Sequence, residues 1–497
     1  MSTNKKLKSW QGWLLFAASM VVVFCLGLLA ASVTERRAEI QSLFQRKVEL
    51  AQGETRNALF ESDYPREYQT WLQTGDTTFV SEFNGNKKVD VLAQRPEMVI
   101  LWSGYAFSRD YTSPRGHLHA IEDMRETLRV GTPGVGEAGD IQPATCWTCK
   151  SPDVPRMMQR LGIAEFYKSK WSALGNEIVN PIGCADCHDV ETMDLHISRP
   201  ALVEAFERRG LDISKATHQE MRSLVCAQCH VEYYFRGDGK YLTFPWDKGM
   251  TMEDAEAYYD ETDYYDYIHA LSRAPILKAQ HPGYELSMQG IHAQRGVACA
   301  DCHMPYKQEG GVKFTDHQIT SPLAKIDRTC QTCHRQDAET LRQNVYERQK
   351  KVYDLAMRME TELGKAHLYA EFAWKQGATE AEMQKVLTDL RKSQWRWDYS
   401  LASHGAAFHA PQEVMRLLAD AMELAKDAQV ECTRIVAQHG WTKPIPLPDV
   451  STKEKAQRYI GLDMPKLKQQ KQQFLDTVVP KWIEEARKNK RFITKPM

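Results

Sequence analysis

The longest unbroken pattern in the chain is apolar. Trp13 to Val33 carries no charged residue over 21 positions, which as a helix rises about 31 Å and matches a bilayer core. Lys5, Lys6 and Lys8 stand before it, an arrangement that keeps the amino terminus in the cytoplasm and sends the rest across the membrane. A cleaved signal peptide is the competing reading, because Leu29-Ala30-Ala31-Ser32 is rich in small residues. The run exceeds a usual signal core and lacks a clean Ala-x-Ala site, so residues 1–34 read as an uncleaved anchor. Ile40, Leu43, Phe44 and Val48 then recur at helical spacing among charged residues, predicting an amphipathic helical stalk over 35–62 that Pro65 closes. From 63 to 335 the chain is irregular, with Gly, Pro and aromatics, short helical stretches such as Glu122 to Leu128, and weak strand alternation. Such a region has too little periodicity to bury itself well. From 336 to 497 the period becomes helical. Leu341, Val345, Leu355 and Met359 mark one helix, Glu380 to Ser403 a second, and Pro411 to His439 a third that Gly440 stops. Met415, Leu418, Met422 and Ala425 share a face of the third, which suits packing in a bundle or at a subunit interface. The Lys-rich tail is predicted helical over Met464 to Lys488, with a solvated face. The expected class is mainly α.

Composition narrows this picture. With 64 basic and 65 acidic residues no broad basic face is available, which argues against a nucleic-acid partner. Of 12 cysteines, ten fall in five Cys-x-x-Cys pairs. Cys25 and Cys432 are left over, too few and too far apart to suggest a disulfide framework.

Those five pairs carry the chemistry. They are Cys146-Trp-Thr-Cys149-Lys150, Cys184-Ala-Asp-Cys187-His188, Cys226-Ala-Gln-Cys229-His230, Cys299-Ala-Asp-Cys302-His303 and Cys330-Gln-Thr-Cys333-His334. In a c-type attachment motif the two thiols form thioethers to the haem, and the next residue becomes the proximal iron ligand. Zinc knuckles and redox dithiols also use Cys-x-x-Cys, but neither explains a His directly after the second Cys four times over. Five c-type haems are therefore expected, one with Lys150 in the histidine seat. Large apolar plates of this kind can serve as the core that 63–335 lacks. Four histidine-ligated electron-transfer haems need four further ligands, and of 16 histidines twelve remain after the proximal four. Spacing alone does not choose among them.

From Tyr64 to the carboxyl terminus the chain resembles the pentahaem cytochrome c nitrite reductases, ammonia-forming periplasmic enzymes with a multihaem cytochrome c fold. The resemblance rests on the Lys150 motif, Pro114-Arg115-Gly116-His117, Glu126-Thr127-Leu128-Arg129, Val231-Glu232-Tyr233-Tyr234-Phe235, Lys278-Ala279-Gln280-His281-Pro282 and Thr315-Asp316-His317. It implies that His317 completes the haem of His188, His117 that of His230, and His292 that of His334. His409 completes that of His303, with His404 the alternative. No distal ligand is implied for the Lys150 haem, so one face of its iron stays open for nitrite, beneath Arg129, Tyr233 and His281. Taken singly, Arg129 could instead pair with a haem propionate, Tyr233 could be a packed aromatic and His281 a further axial ligand. The resemblance also implies calcium on the Glu232 carboxylate, the Tyr233 and Lys278 carbonyls and the Gln280 side-chain oxygen, a hard all-oxygen set. It further implies a homodimer through the carboxyl-terminal helices. Electrons would come from a multihaem quinol dehydrogenase or a soluble multihaem donor, and the amino-terminal segment would hold the protein to the inner membrane. Hydroxylamine and sulfite are further substrates the resemblance allows. Two rival readings are a non-catalytic multihaem electron carrier and a related multihaem oxidoreductase acting on hydroxylamine or sulfur oxyanions.

Overall fold

The computed structural model describes residues 9–43, 47–136 and 142–492, with only the backbone of 36–43. It forms two units, Met1–Glu49 and Leu50–Met497. In the first, helix α1 (Ser9–Leu43) contains the predicted apolar run without a break. Its stretch Ser9–Glu35 has a mean hydropathy of 2.6 and is long and apolar enough to cross a membrane. The helix continues into the predicted stalk as far as Leu43. The side chains of Ile40 and Leu43, and Phe44 altogether, lie outside the described residues. Val48 falls in a bend and Gly53 turns the chain with φ +77°, so the helical period does not persist to residue 62.

The second unit is built on three long helices, α2 (Ala338–Lys375), α3 (Glu380–Leu401) and α4 (Pro411–Gln438). Their starts follow from local chemistry. Asp337 accepts the Thr340 N–H at 2.9 Å, Thr379 and Glu382 form a reciprocal capping box, and Pro411 occupies the first turn of α4, where a missing N–H costs nothing. Gly377 and Gly440 follow α2 and α4 with φ of +92° and +85°. The buried stripe of α4 runs through Val414, Leu417, Leu418, Ala421, Ala425 and Ala428. Met415 and Met422 are only partly buried, so the predicted face is rotated by about one position from the true one. These helices enclose a core of Met359, Leu363, Leu390, Trp395, Trp397 and Ile435, against which Ile100 and Trp102 also pack.

Two histidines that the sequence did not single out lie in this core. His269 and His367 are fully buried and their rings stack 3.9 Å apart. His367 bonds Ser272 Oγ at 2.9 Å and Gln394 Oε1 at 2.7 Å, while His269 donates to the Ile100 carbonyl at 2.8 Å. Burial lowers both pKa values, that of His269 to about 4. Between the ordinary value of about 6.5 and 4, the unfolded chain therefore binds more protons than the folded one. Stability is expected to be full near pH 7 and to fall as pH drops through that window. A melting series from pH 7 to 4.5 should show a steeper decline for the parent than for His367→Gln, which removes one of the two titrating groups.

Among the described residues, three two-stranded antiparallel hairpins interrupt the region 63–335: β1 (Tyr234–Arg236) with β2 (Tyr241–Thr243), β3 (Tyr267–Ile268) with β4 (Pro275–Ile276), and β5 (Tyr306–Glu309) with β6 (Val312–Thr315). In the third, Glu309 pairs with Val312 across Gly310 and Gly311, whose φ values of +56° and +84° suit a two-residue turn. The irregular region has more core of its own than its periodicity suggests. Trp147, Phe166, Tyr167, Trp171, Phe244 and Trp246 are buried together in it. The tail also differs from the predicted solvated face. It forms two helices, Met464–Thr477 and Val479–Lys488, and its Phe474 is fully buried. Lys471 is buried as well, and its ammonium donates to the carbonyls of Arg125 at 3.1 Å and Gly131 at 2.7 Å. Those two carbonyls flank Arg129.

Candidate functional site

A cavity of about 3130 Å³ runs through the second unit. Ordinary small-molecule sites occupy about 300–1,000 Å³, so it is several such sites joined. Its lining includes the second Cys and the closing Lys or His of every motif. Among the described residues no disulfide joins the motif cysteines. The motifs also abut one another: Cys149 neighbours Cys229, and Cys226 neighbours Cys299.

Each motif histidine faces another imidazole across the cavity. Ring centroids are 6.3 Å apart for His188 and His317, 6.0 Å for His230 and His117, 6.2 Å for His303 and His409, and 6.3 Å for His334 and His292. Two metal–nitrogen bonds of about 2 Å and two half-rings of about 1 Å add up to about 6 Å, so each gap fits one iron. The backbone fixes several of these rings. His188 Nδ1 donates to the Met193 carbonyl at 2.8 Å, His303 Nδ1 to that of Thr320 at 3.0 Å, and His317 Nδ1 to that of Thr315 at 2.7 Å. A proton held on Nδ1 leaves the Nε2 lone pair for a metal. Burial lowers the pKa of all three, which favours the neutral, ligating form. His404 touches Asn84 through its backbone carbonyl.

Lys150 lines the cavity with no hydrogen bond or ion pair to its ammonium among the described residues. The three side chains the resemblance places over the open iron line the same cavity. The Arg129 guanidinium lies 4.4 Å over the Phe107 ring, and its Nε donates to Thr127 Oγ1 at 3.1 Å. Thr127 in turn donates to Asp110 at 2.9 Å. Among the described residues no carboxylate forms an ion pair with Arg129, so its charge is available to an anion. The Tyr233 ring stacks on Phe235, and burial pushes its hydroxyl pKa well up. His281 Nε2 is 2.7 Å from His230 Nδ1.

Behind this group lies a concentration of buried carboxylates. Glu232 accepts the Gln280 N–H at 2.7 Å and the Tyr259 hydroxyl at 3.2 Å. Glu285 accepts the Glu232 N–H at 2.9 Å and the Trp246 indole at 2.8 Å, while its Oε2 is buried without a partner. Asp266 accepts the Lys278 N–H at 2.8 Å. Burial raises all three, Glu232 well above the usual range, Glu285 to about 7 and Asp266 to about 6. The Lys278 ammonium is turned to Asp398 at 2.9 Å. The Gln280 amide donates to the Lys278 carbonyl at 3.0 Å, so two of the expected calcium ligands are neighbours. Oxygen donors with excess negative charge fit a hard divalent cation.

Sequence reasoning missed Arg199, fully buried between the attachment motifs, as well as Lys471 and Glu285. Charged residues are rarely buried, and no local pattern marks the exceptions.

Comparison with known proteins agrees with this geometry. Residues 56–491 match the family described as cytochrome c552. Cytochrome c-552 of Porphyromonas gingivalis is 71% identical over 485 residues, covering 97% of each chain. That of Bacteroides thetaiotaomicron is 64% identical over 493 residues, covering 99% of this chain and 100% of the relative. Among solved structures, the catalytic subunit of cytochrome c nitrite reductase from Desulfovibrio desulfuricans, described with two calcium sites, superposes with a TM-score of 0.74. It is 30% identical, and the match covers 88% of this chain and 96% of that one.

Proposed function

Because the chain belongs to the cytochrome c552 family, we propose that it reduces nitrite to ammonium at a c-type haem ligated by Lys150, fed by four haems with paired histidine ligands. The observation that carries this reading is the contrast within the cavity: four motif histidines each face a second imidazole at 6.0–6.3 Å, while the fifth motif closes with Lys150, and Arg129, Tyr233 and His281 line the same cavity. The haems would supply electron transfer and one open iron position. Nitrite plus eight protons and six electrons gives ammonium and two waters, so the site must hold an anion and deliver protons. Arg129 attracts and orients nitrite by charge-assisted hydrogen bonds. Tyr233 offers a hydroxyl that burial keeps protonated, and His281 is a further polar group lining the same cavity. Glu232, the Tyr233 and Lys278 carbonyls and Gln280 would hold calcium beside the pocket, fixing Tyr233 from behind. Export through the α1 segment, attachment to the inner membrane by it and dimerisation through the carboxyl-terminal helices complete the reading. The donor would be a multihaem quinol dehydrogenase or soluble multihaem protein.

The test is made on the fully loaded protein. Electron paramagnetic resonance is expected to show one high-spin ferric signal that nitrite perturbs, and reduced viologen is expected to yield ammonium at six electrons per nitrite. Wholly low-spin spectra with no response to nitrite would leave only the electron-carrier reading. A nitrite-responsive spectrum without ammonium formation would favour the oxidoreductase acting on other oxyanions.

A further inference from the structure

His230 is held differently from its counterparts. His188 and His303 give their Nδ1 protons to backbone carbonyls, whereas His230 Nδ1 meets a side chain, Nε2 of His281, at 2.7 Å. The ring centroids are 4.7 Å apart. The backbone of Ala402 is a further polar neighbour of His281. One proton arrangement satisfies both contacts with neutral rings: His281 carries its proton toward Ala402, its Nε2 accepts, and His230 Nδ1 donates. That arrangement leaves the His230 Nε2 lone pair directed at the gap shared with His117. The backbone holds the two rings side by side. The Tyr284 N–H donates to the His230 carbonyl at 2.9 Å, and a Cβ on Gly283 would lie 3.5 Å from the His230 Cβ, so the 281–284 turn wraps the ligand closely.

We propose that His281 is a positioning residue for His230, which ties the pocket over the Lys150 haem to the ligand of the adjacent haem. An acceptor on Nδ1–H makes the ligating imidazole more basic and stabilises the ferric state of its iron. His281 thereby lowers the reduction potential of the His230 haem. This inference rests on the reading of His230 and His117 as an axial pair.

The experiment uses the holoprotein with its haem content counted. His117→Met removes one member of the pair and so identifies which low-spin component belongs to the His230 haem. In His281→Leu, which removes the acceptor, that component is expected to move to higher potential in a spectropotentiometric titration and to change its paramagnetic g values, the others staying in place. His281→Gln, whose amide oxygen can accept, is expected to return it toward the parent value. Full haem content with an unmoved component in His281→Leu would overturn the proposal. If His117→Met leaves every low-spin signal intact, the axial-pair reading fails instead, a result distinguishable from the first.

Discussion

Arg129→Gln is expected to lower kcat/KM for nitrite by about 10²–10³-fold. The guanidinium is stacked over Phe107 at 4.4 Å and anchored through Nε to Thr127 at 3.1 Å, which leaves its outer nitrogens for an anion. A hydrogen bond to a charged group contributes about 1.5–3 kcal/mol, and each 1.36 kcal/mol is tenfold in rate. Loss of the charge in a site screened from water adds to this, because the attraction is stronger there than in bulk solvent. Arg129→Lys keeps the charge but loses the planar fork and the stacking, so a loss of about tenfold is expected, mostly in KM. Steady-state assays with reduced viologen at fixed haem content would measure both variants. A propionate-pairing role for Arg129 predicts another outcome, altered haem content or visible spectrum with kcat/KM within about twofold of the parent; that result would remove Arg129 from the nitrite site.

What could be read from the sequence follows the range of the interactions involved. The five Cys-x-x-Cys motifs were legible because thioether formation and proximal ligation, as proposed, would confine five residues to one short segment. The long helices were legible because burying one side of a helix imposes a 3.6-residue period. The face of α4 was misplaced by about a position because Val414 and Leu417 are as apolar as the neighbours chosen for it, and only packing against α2 and α3 decides between them. Partners such as His317 for His188 depend on the path of the whole chain, so family resemblance rather than spacing had to nominate them. The buried charges were the least legible. Nothing near Lys471 announces that its ammonium ends between two carbonyls beside Arg129. Similarly, the His269–His367 stack joins residues brought together only when α2 closes on the hairpin formed by β3 and β4.

Arg199 is the buried charge with the largest expected effect. It is 1% exposed. Its Nε donates to the Thr148 carbonyl at 2.8 Å and one terminal nitrogen to that of Ser151 at 2.8 Å, so it brackets Cys149 and Lys150. The same nitrogen pairs with Asp186 of the second motif, and Gln228 of the third donates to the Asp186 carbonyl at 2.7 Å while accepting the Arg199 N–H at 3.1 Å. The first two motif loops thus meet at one guanidinium, and the third joins them through the Arg199 backbone. Arg199→Met is expected to cost about 3–5 kcal/mol, because it leaves a carboxylate buried and uncompensated; a urea midpoint at unchanged m would read it. Burial already raises the Asp186 pKa, opposed chiefly by the Arg199 charge, and without that charge the folded-state value must rise further. A carboxyl whose folded pKa exceeds its unfolded one destabilises the fold as pH rises through the unfolded value. The deficit of Arg199→Met is therefore expected to be largest near neutrality and to shrink in acid. The double variant with Asp186→Asn should recover part of it at pH 7, since the remaining amide carries no charge to desolvate. A deficit under about 1 kcal/mol, independent of pH, would mean that solvent reaches Asp186 once the guanidinium is gone. The junction would then owe its rigidity to the Gln228 contacts rather than to the ion pair.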